Sequence, residues 1–575
     1  MRRRVFLAAG AAICLALLPG AAAPSPKKNA GSRGAAGDMG LFYRPIPKQD
    51  RIQHALDRLS FGPKPGDAAR VQALGLKKWI DLQLHPEKIP ENPVLTAKLQ
   101  PLDSLVMTTK ELVANYPEPQ MIRRMLDGRL AFPTDPDRRL LIQKVAERFE
   151  RRQKAGQDPP QEQELASLLT PEQLRELRTG TAVERLAAFE ALPAARQNEI
   201  LVALPQGVRQ AMFPVAPPQL RRKIELAAGP RQVVALDLSQ GKLLRAIYSN
   251  RQLEELLTDF WFNHFNVYLD KGADHFLITE YERDVIRPHV LGRFRDLLEA
   301  TAKSPAMLFY LDNWQSRAPG QAGRGKRAPS GLNENYGREL MELHTLGVDG
   351  GYSQHDVTEV ARCFTGWTID QPGQGGPFTF NPRMHDQGEK TVLGFRIAAG
   401  GGIEDGEKVL DVLARHPSTA HFISRKLAIR FVADDPPPAL VERMAQIFLK
   451  TKGDLRAVMT TMLESREFWS LGAYRSKLKS PLELVASAVR AADGDVDFAT
   501  GLVNQVAQMG QPLYRKQEPT GYSNLSQEWL NSAGLLARMN FAVNLADNKT
   551  PGVKVGQASG LSGQVSLGSP EFQKH

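Results

Sequence analysis

Residues 333–367 read NENYGRELMELHTLGVDGGYSQHDVTEVARCFTGW. Helical spacing over residues 332–346 stops at Gly347 and the run Asp349-Gly350-Gly351. Ser353 and Asp356 have the spacing of a capping box, so a second helix begins at Ser353, with Val357, Val360, Ala361 and Phe364 as its core stripe. Beyond it, residues 364–369, 377–381 and 390–397 read as short strands with Gly-rich connections. Two helices followed by short strands predict a mainly α, multi-helix globular domain with a small antiparallel β element (about 364–397).

The polar residues of this block are denser than a helix pair needs. At about 100° per residue, Leu332, Leu343 and Leu346 define the buried arc of the first helix. Glu339 falls inside that arc, Asn335 and Glu342 lie at its edge, and His344 lies on a different flank. Burying a lone carboxylate costs several kcal/mol or more, so Glu339 needs an arginine, a metal ion or a substrate as partner. Arg338 projects elsewhere. Asp356 is explained by its cap, and Cys363, with no signature around it, reads as a packing residue. His355, Glu359 and Arg362 share the face opposite the core stripe, as a salt-bridged surface or one wall of a cleft.

Upstream, Ser249 with Gln252 matches a capping box, and Leu253, Leu256, Leu257, Phe260, Trp261 and His264 follow at spacings of three and four. His264 thus continues an apolar stripe, either as a core histidine satisfied by a carbonyl or by Asn263, or as a ligand or general base. Downstream, His385-Asp386 sits at the turn between the last two strands and is read either as turn chemistry or as a ligand or acid–base pair. The candidate catalytic residues are therefore Glu339, His264, His385 and Asp386. The candidate metal set is His264, Glu339 and His385, holding a divalent ion, and the candidate ligand-binding residues are Asn263, Asn335, Glu342 and Trp367.

The ends of the chain bear on location. Arg2, Arg3 and Arg4, an apolar run over residues 5–18 and small residues over 20–23 have the order of a secretory signal (residues 1–23), of the twin-arginine or the plain type. That run is too short to span a bilayer, and no second long apolar run follows, so no integral membrane segment is expected after cleavage. Residues 24–50 are a flexible leader rich in Pro, Gly, Ser and Lys. Cys14 leaves with the signal, so only Cys363 remains and the mature chain must be held by its core. Of the formal charge of +11, three units belong to the signal arginines. The mild excess left suits anionic surfaces, and the chain lacks zinc-finger spacing and aromatic-interleaved basic clusters, so no nucleic acid is expected. Gly320-Gln321-Ala322-Gly323-Arg324-Gly325-Lys326 imitates a phosphate loop, but Arg327 stands where Ser or Thr is required.

Residues 136–235 turn to Glu, Gln, Arg, Ala and Leu with helical periodicity. Pro193, Pro205 and Pro217 recur there at a fixed interval, each followed within a turn by Arg196, Arg209 or Arg221. Three short helices in an inserted helical arm or subdomain would give that pattern. Helices return in the second half, and residues 547–575 form a Gly/Ser-rich tail.

The segments His54-Ala55-Leu56-Asp57-Arg58-Leu59-Ser60-Phe61-Gly62-Pro63, Trp261-Phe262-Asn263-His264-Phe265, 333–346, 352–367, 380–394 and 521–538 resemble the exported bacterial family called domain of unknown function 1800, DUF1800. The resemblance covers about residues 51–546 and is weakest over 136–235. It implies a mostly helical exported protein, periplasmic or extracellular, whose chemistry is unassigned, with a sulfatase-like (DUF1501-type) exported protein as partner. It supplies no catalytic residues. Two functions are expected from it and from the residues: a binding or assembly protein acting with that partner, or a metal-assisted hydrolase using a His/Glu/Asp cleft.

Overall fold

Apolar stripes at helical spacing decide the architecture. A computed structural model of the chain describes residues 39–155, 161–319, 331–556 and 567–575. The signal (1–23), most of the leader, the basic loop over 320–326 and residues 557–566 of the tail lie outside the described residues. Helices dominate what is described, and six short strands form three two-stranded antiparallel pairs. The protein is mainly α with small β elements.

The helix Gln252–His264 crosses the main core. Leu253, Leu256, Leu257, Phe260 and Trp261 are all buried on it, and Trp261 Nε1 donates to Val290 O at 3.1 Å. Each such side chain contributes about 1.5–3 kcal/mol of apolar burial. Its start differs from the expected box. Arg251 is the N-cap without a side-chain capping bond, Ser249 Oγ accepts from Arg251 N, and Gln252 Nε2 reaches back to Ala246 O and Ser249 O. Gln252 thereby splices this helix to the preceding one, Pro230–Tyr248, across a sharp bend.

The block over 333–367 forms its two helices with one change. Glu334–Glu339 is α-helical, but Leu340–Thr345 widens into a π-turn, where Thr345 Oγ1 donates to Leu340 O five residues back. The wider turn rotates the face. Tyr336, Gly337, Leu340, Met341, His344 and Thr345 are buried, while Leu332 and Leu343 are only partly so. The assignment of His344 to an outer flank is therefore corrected: it lies in the core. Gly337 marks the closest approach to the second helix, Gln354–Cys363, because a Cβ there would come within 2.9 Å of Val357 O. That second helix starts with the expected Ser353/Asp356 capping box.

The β element is two hairpins, not one sheet. β1 (Trp367–Ile369) pairs with β2 (Phe378–Phe380), and β3 (Lys390–Val392) pairs with β4 (Phe395–Ile397). A third pair, β5 (Asp495–Val496) with β6 (Val553–Lys554), brings part of the tail onto the body. The end of the tail also docks: Leu567, Gln573 and His575 are buried, and His575 N donates to Lys477 O.

Between Pro136 and Ala228 a set of helices surrounds its own apolar cluster, which includes Leu165, Leu177, Phe189, Leu201 and Met212. Pro193, Pro205 and Pro217 are the N-caps of three successive short helices. Two of the three repeated arginines have a local task. Arg209 donates to Leu201 O and Val202 O, and Arg221 to Phe213 O, so each ties down carbonyls at the end of the helix before its own. Arg222 joins the cluster to the body through buried Asp237. No helix among the described residues is long and apolar enough to cross a membrane.

Candidate functional site

His264 closes the apolar stripe of its helix and is buried, with both ring nitrogens occupied. Its Nε2 lies 3.1 Å from His344 O, and Lys426 Nζ lies 2.8 Å from its Nδ1. An ammonium only donates, so Nδ1 is the acceptor and Nε2 carries the proton. Burial and the positive charge of Lys426 hold His264 well below the usual histidine range. His344, buried beside it, is pushed down to about 3, chiefly by burial and then by Lys426. Both rings are neutral at any ordinary pH.

Lys426 is the uncompensated group. It sits on the helix Pro417–Phe431, and burial alone pushes its ammonium down to about 8. Among the described residues no carboxylate reaches it within ion-pair distance. Its one side-chain hydrogen bond goes to His264, which leaves two N–H donors for a cleft of ≈ 510 Å³ that it floors. The facing wall is the segment from Gly510 to Trp529. Lys516 in that wall is paired with Glu518 at 3.0 Å, Tyr522 Oη donates to Pro512 O, and Trp529 Nε1 donates to Ser523 O. The walls are thus internally satisfied. The floor keeps a positive charge, and Ser523 and Asn524 line the same space.

Asn263 positions this wall without lining the cleft. Its Oδ1 accepts from Tyr522 N at 3.1 Å and its Nδ2 donates to Asp259 O. Gly521, at φ +68°, lies so close that a Cβ would sit 2.0 Å from Asn263 O, so only glycine permits the contact. The expected ligand-binding role of Asn263 becomes one of support.

Glu339 is half-buried, and among the described residues it has neither a hydrogen-bond nor an ion-pair partner. Burial, then repulsion from Glu342, raises its carboxyl above the usual range. It ends the α-helical segment where the π-turn begins. Glu342 accepts from Tyr352 Oη at 3.3 Å, and Asn335 is exposed.

His385 and Asp386 belong to a different assembly. His385 Nδ1 lies 2.8 Å from Thr365 O and its Nε2 lies 3.3 Å from Asp405 Oδ2, which also receives Lys390 Nζ at 2.9 Å. Asp405, Lys390 and His385 are all buried. Against the upward push of burial, Arg362 and Gly388 N–H hold Asp386 below the usual carboxylate range; Arg362 contacts both oxygens, at 2.8 and 3.1 Å. Glu359 bonds Arg362 and accepts from Thr391 N, while Asp356 accepts from Leu393 N, so both acids seat β3 and its turn against the helix. The opposite face of that helix is therefore an internal ion network, with only His355 exposed. Trp367 is fully buried under Gly406, where a Cβ would lie 2.6 Å from the ring, so it is core and not a ligand wall. Cys363 is buried as well, its thiol pushed up to about 12 by burial.

The structure brings His264 together with His344 and Lys426, and His385 together with Lys390 and Asp405, but does not bring His264, Glu339 and His385 around one point. No group of three or more His, Cys, Asp or Glu among the described residues is placed to hold a metal ion. The expected shared ion is corrected on those grounds: both histidines have already committed their ring nitrogens. Sequence reading missed Lys426, His344, Lys390 and Asp405. A signal for Lys426 existed, since it stands three and four residues from Ile423 and Phe422 on one helix face.

A mainly helical body with small hairpins and a cleft that joins Lys426 to the segment over 510–529 is the frame of this protein. The chain belongs to the family DUF1800, described as a protein of unknown function, whose model matches residues 54–571. No curated protein and no solved structure matches it.

Proposed function

We propose that this is an exported binding protein, periplasmic or extracellular, that holds an anionic small ligand, or the anionic end of a polymer, in the Lys426 cleft. The observation that carries the reading is the half-buried Lys426 ammonium, whose only side-chain hydrogen bond among the described residues is to a neutral histidine and which lines an open cleft. A desolvated ammonium without a counter-charge is costly, and an anion entering the cleft supplies the missing partner. The export part rests on the order of residues 2–23. Titration with a panel of anions, from sulfate to carboxylated sugars, tests the binding part: the native chain binds at least one class and Lys426→Met loses it. N-terminal sequencing of protein recovered outside the cytoplasm tests the other.

A second reading, assembly with a sulfatase-like (DUF1501-type) exported partner, is favoured by the helix Ser532–Ala546. Leu535, Leu536, Met539 and Val543 are exposed there at helical spacing, on a helix whose opposite face is already buried. Contiguous exposed apolar surface marks contact sites. Leu536→Asp combined with Met539→Asp abolishes co-elution with such a partner if that reading holds. A metal-assisted hydrolase on His264, Glu339 and His385 has weaker support, because its histidines are engaged elsewhere.

A further inference from the structure

A second cleft, of ≈ 410 Å³, opens between the N-terminal helices and the bend at Tyr248–Gln252. Its amides are already in use. Gln83 accepts from Leu253 N and donates to Asn250 O, Gln252 accepts from Phe61 N and donates to two carbonyls, and Asn92 caps its helix and donates to Tyr248 O. A ligand rich in hydroxyls would find few partners. What remains is an apolar wall that includes Trp79, Val71, Leu74 and Leu56, and three cations, of which Arg70 and Arg490 are paired with Asp67 and Lys64 is not in an ion pair among the described residues.

The sequence aims that cation. In Phe61-Gly62-Pro63-Lys64-Pro65-Gly66-Asp67, Gly62 and Gly66 take left-handed φ of +86° and +85°. Arg490 Nε locks the turn by donating to Gly62 O at 2.6 Å. The charged neighbours are Arg70, Arg490, Asp67 and Asp493. Asp67 is engaged by Arg70 and Arg490 and by Lys64 N, and among the described residues no carboxylate forms an ion pair with Lys64 Nζ, though Asp67 and Asp493 act on it from further off. Lys64 Nζ instead lies 4.7 Å from the centre of the Tyr248 ring. Lys98 approaches the same ring at 5.2 Å but is paired with Asp495. Of the two ammonium groups on this ring, one is neutralised and the other faces the cleft.

We propose that this cleft binds a small organic anion with an apolar or aromatic body, its charge on Lys64 and its body against Trp79 and Leu74. The site is independent of the Lys426 cleft. Burial pushes the Lys64 ammonium down to about 8, which accords with an ammonium awaiting a counter-charge.

Calorimetric titration of the full chain with phenylacetate and with its neutral isostere phenylacetamide, at low salt and neutral pH, tests this. Phenylacetate is expected to bind about tenfold or more tightly than phenylacetamide, as a charge-assisted contact implies. Lys64→Met removes the difference, Trp79→Ala weakens both ligands, and Lys426→Met changes neither. Equal affinity for the acid and the amide, no detectable phenylacetate binding, or loss of binding in Lys426→Met in place of Lys64→Met would each overturn the proposal. The acid–amide comparison on the native chain stands even if Lys64→Met does not fold.

Discussion

Two lysines set beside histidines, Lys390 buried and Lys426 half-buried, behave in opposite ways. Lys390 lies at the centre of a closed network in which Asp405 and the carbonyls of Asp386 and Gly388 take up its donors, while His385 Nε2 meets the same Asp405 oxygen. Lys426 lies against His264 with no carboxylate in reach among the described residues and a cleft in front of it. Buried ionic groups that are mutually satisfied fix a structure. A buried charge left over after every neighbour is satisfied points outward, to something that arrives later. The difference separates the network that seats the hairpins from the group that forms a site.

The comparison breaks first at Lys390. Lys390→Met leaves the buried Asp405 carboxyl without its closest ammonium partner, so the chain is expected to lose about 3–5 kcal/mol, read from urea unfolding. A loss below 1 kcal/mol would mean that the network is not what seats the hairpins. Acid should sharpen the comparison next. His344 binds its proton at about 3 when folded and near 6.5 when unfolded. Between those values the unfolded state takes up the proton first, so stability falls as pH falls, by about 1.4 kcal/mol per pH unit for this group. At pH 5 that amounts to about 2 kcal/mol. His344→Gln should be less acid-sensitive than the native chain over pH 6.5 to 4, and an unchanged slope would remove the buried neutral ring from the account.

Smaller effects follow. Asp356→Ala removes a cap and the bond to Leu393 N, and about 1–2 kcal/mol of stability is expected to go with it. Lys426→Met should change stability by less than about 1 kcal/mol, since it deletes a desolvated charge while leaving His264 one bond short. Its effect belongs on binding. A large destabilisation in Lys426→Met would make it a second structural lysine and dissolve the contrast.

Local features were legible in the sequence. The Pro193, Pro205 and Pro217 interval, the Ser353 cap and the stripe ending at His264 depend on residues within a few positions of one another, and they stand as read. The π-turn was not legible, and it misplaced His344, because the face was drawn at 100° per residue through a turn that does not keep that step. The strands were foreseen, except that 390–397, read as one strand, is the hairpin β3–β4, and what holds the hairpins was not foreseen: Asp405 and Lys390 are 15 residues apart. The pairing of His264 with Lys426 spans 162 residues, beyond any spacing rule. Glu339 was identified as a carboxylate in need of a partner, and among the described residues it still stands without one.

The most direct measurement is the pH dependence of chemical labelling at Lys426, followed by mass spectrometry, without and with saturating sulfate as the simplest anion. The account predicts a midpoint near 8 in the free protein and an upward shift when sulfate provides the counter-charge. A midpoint at the ordinary lysine value of about 10.4, or one that sulfate and the other anions of the panel leave unmoved, would contradict it.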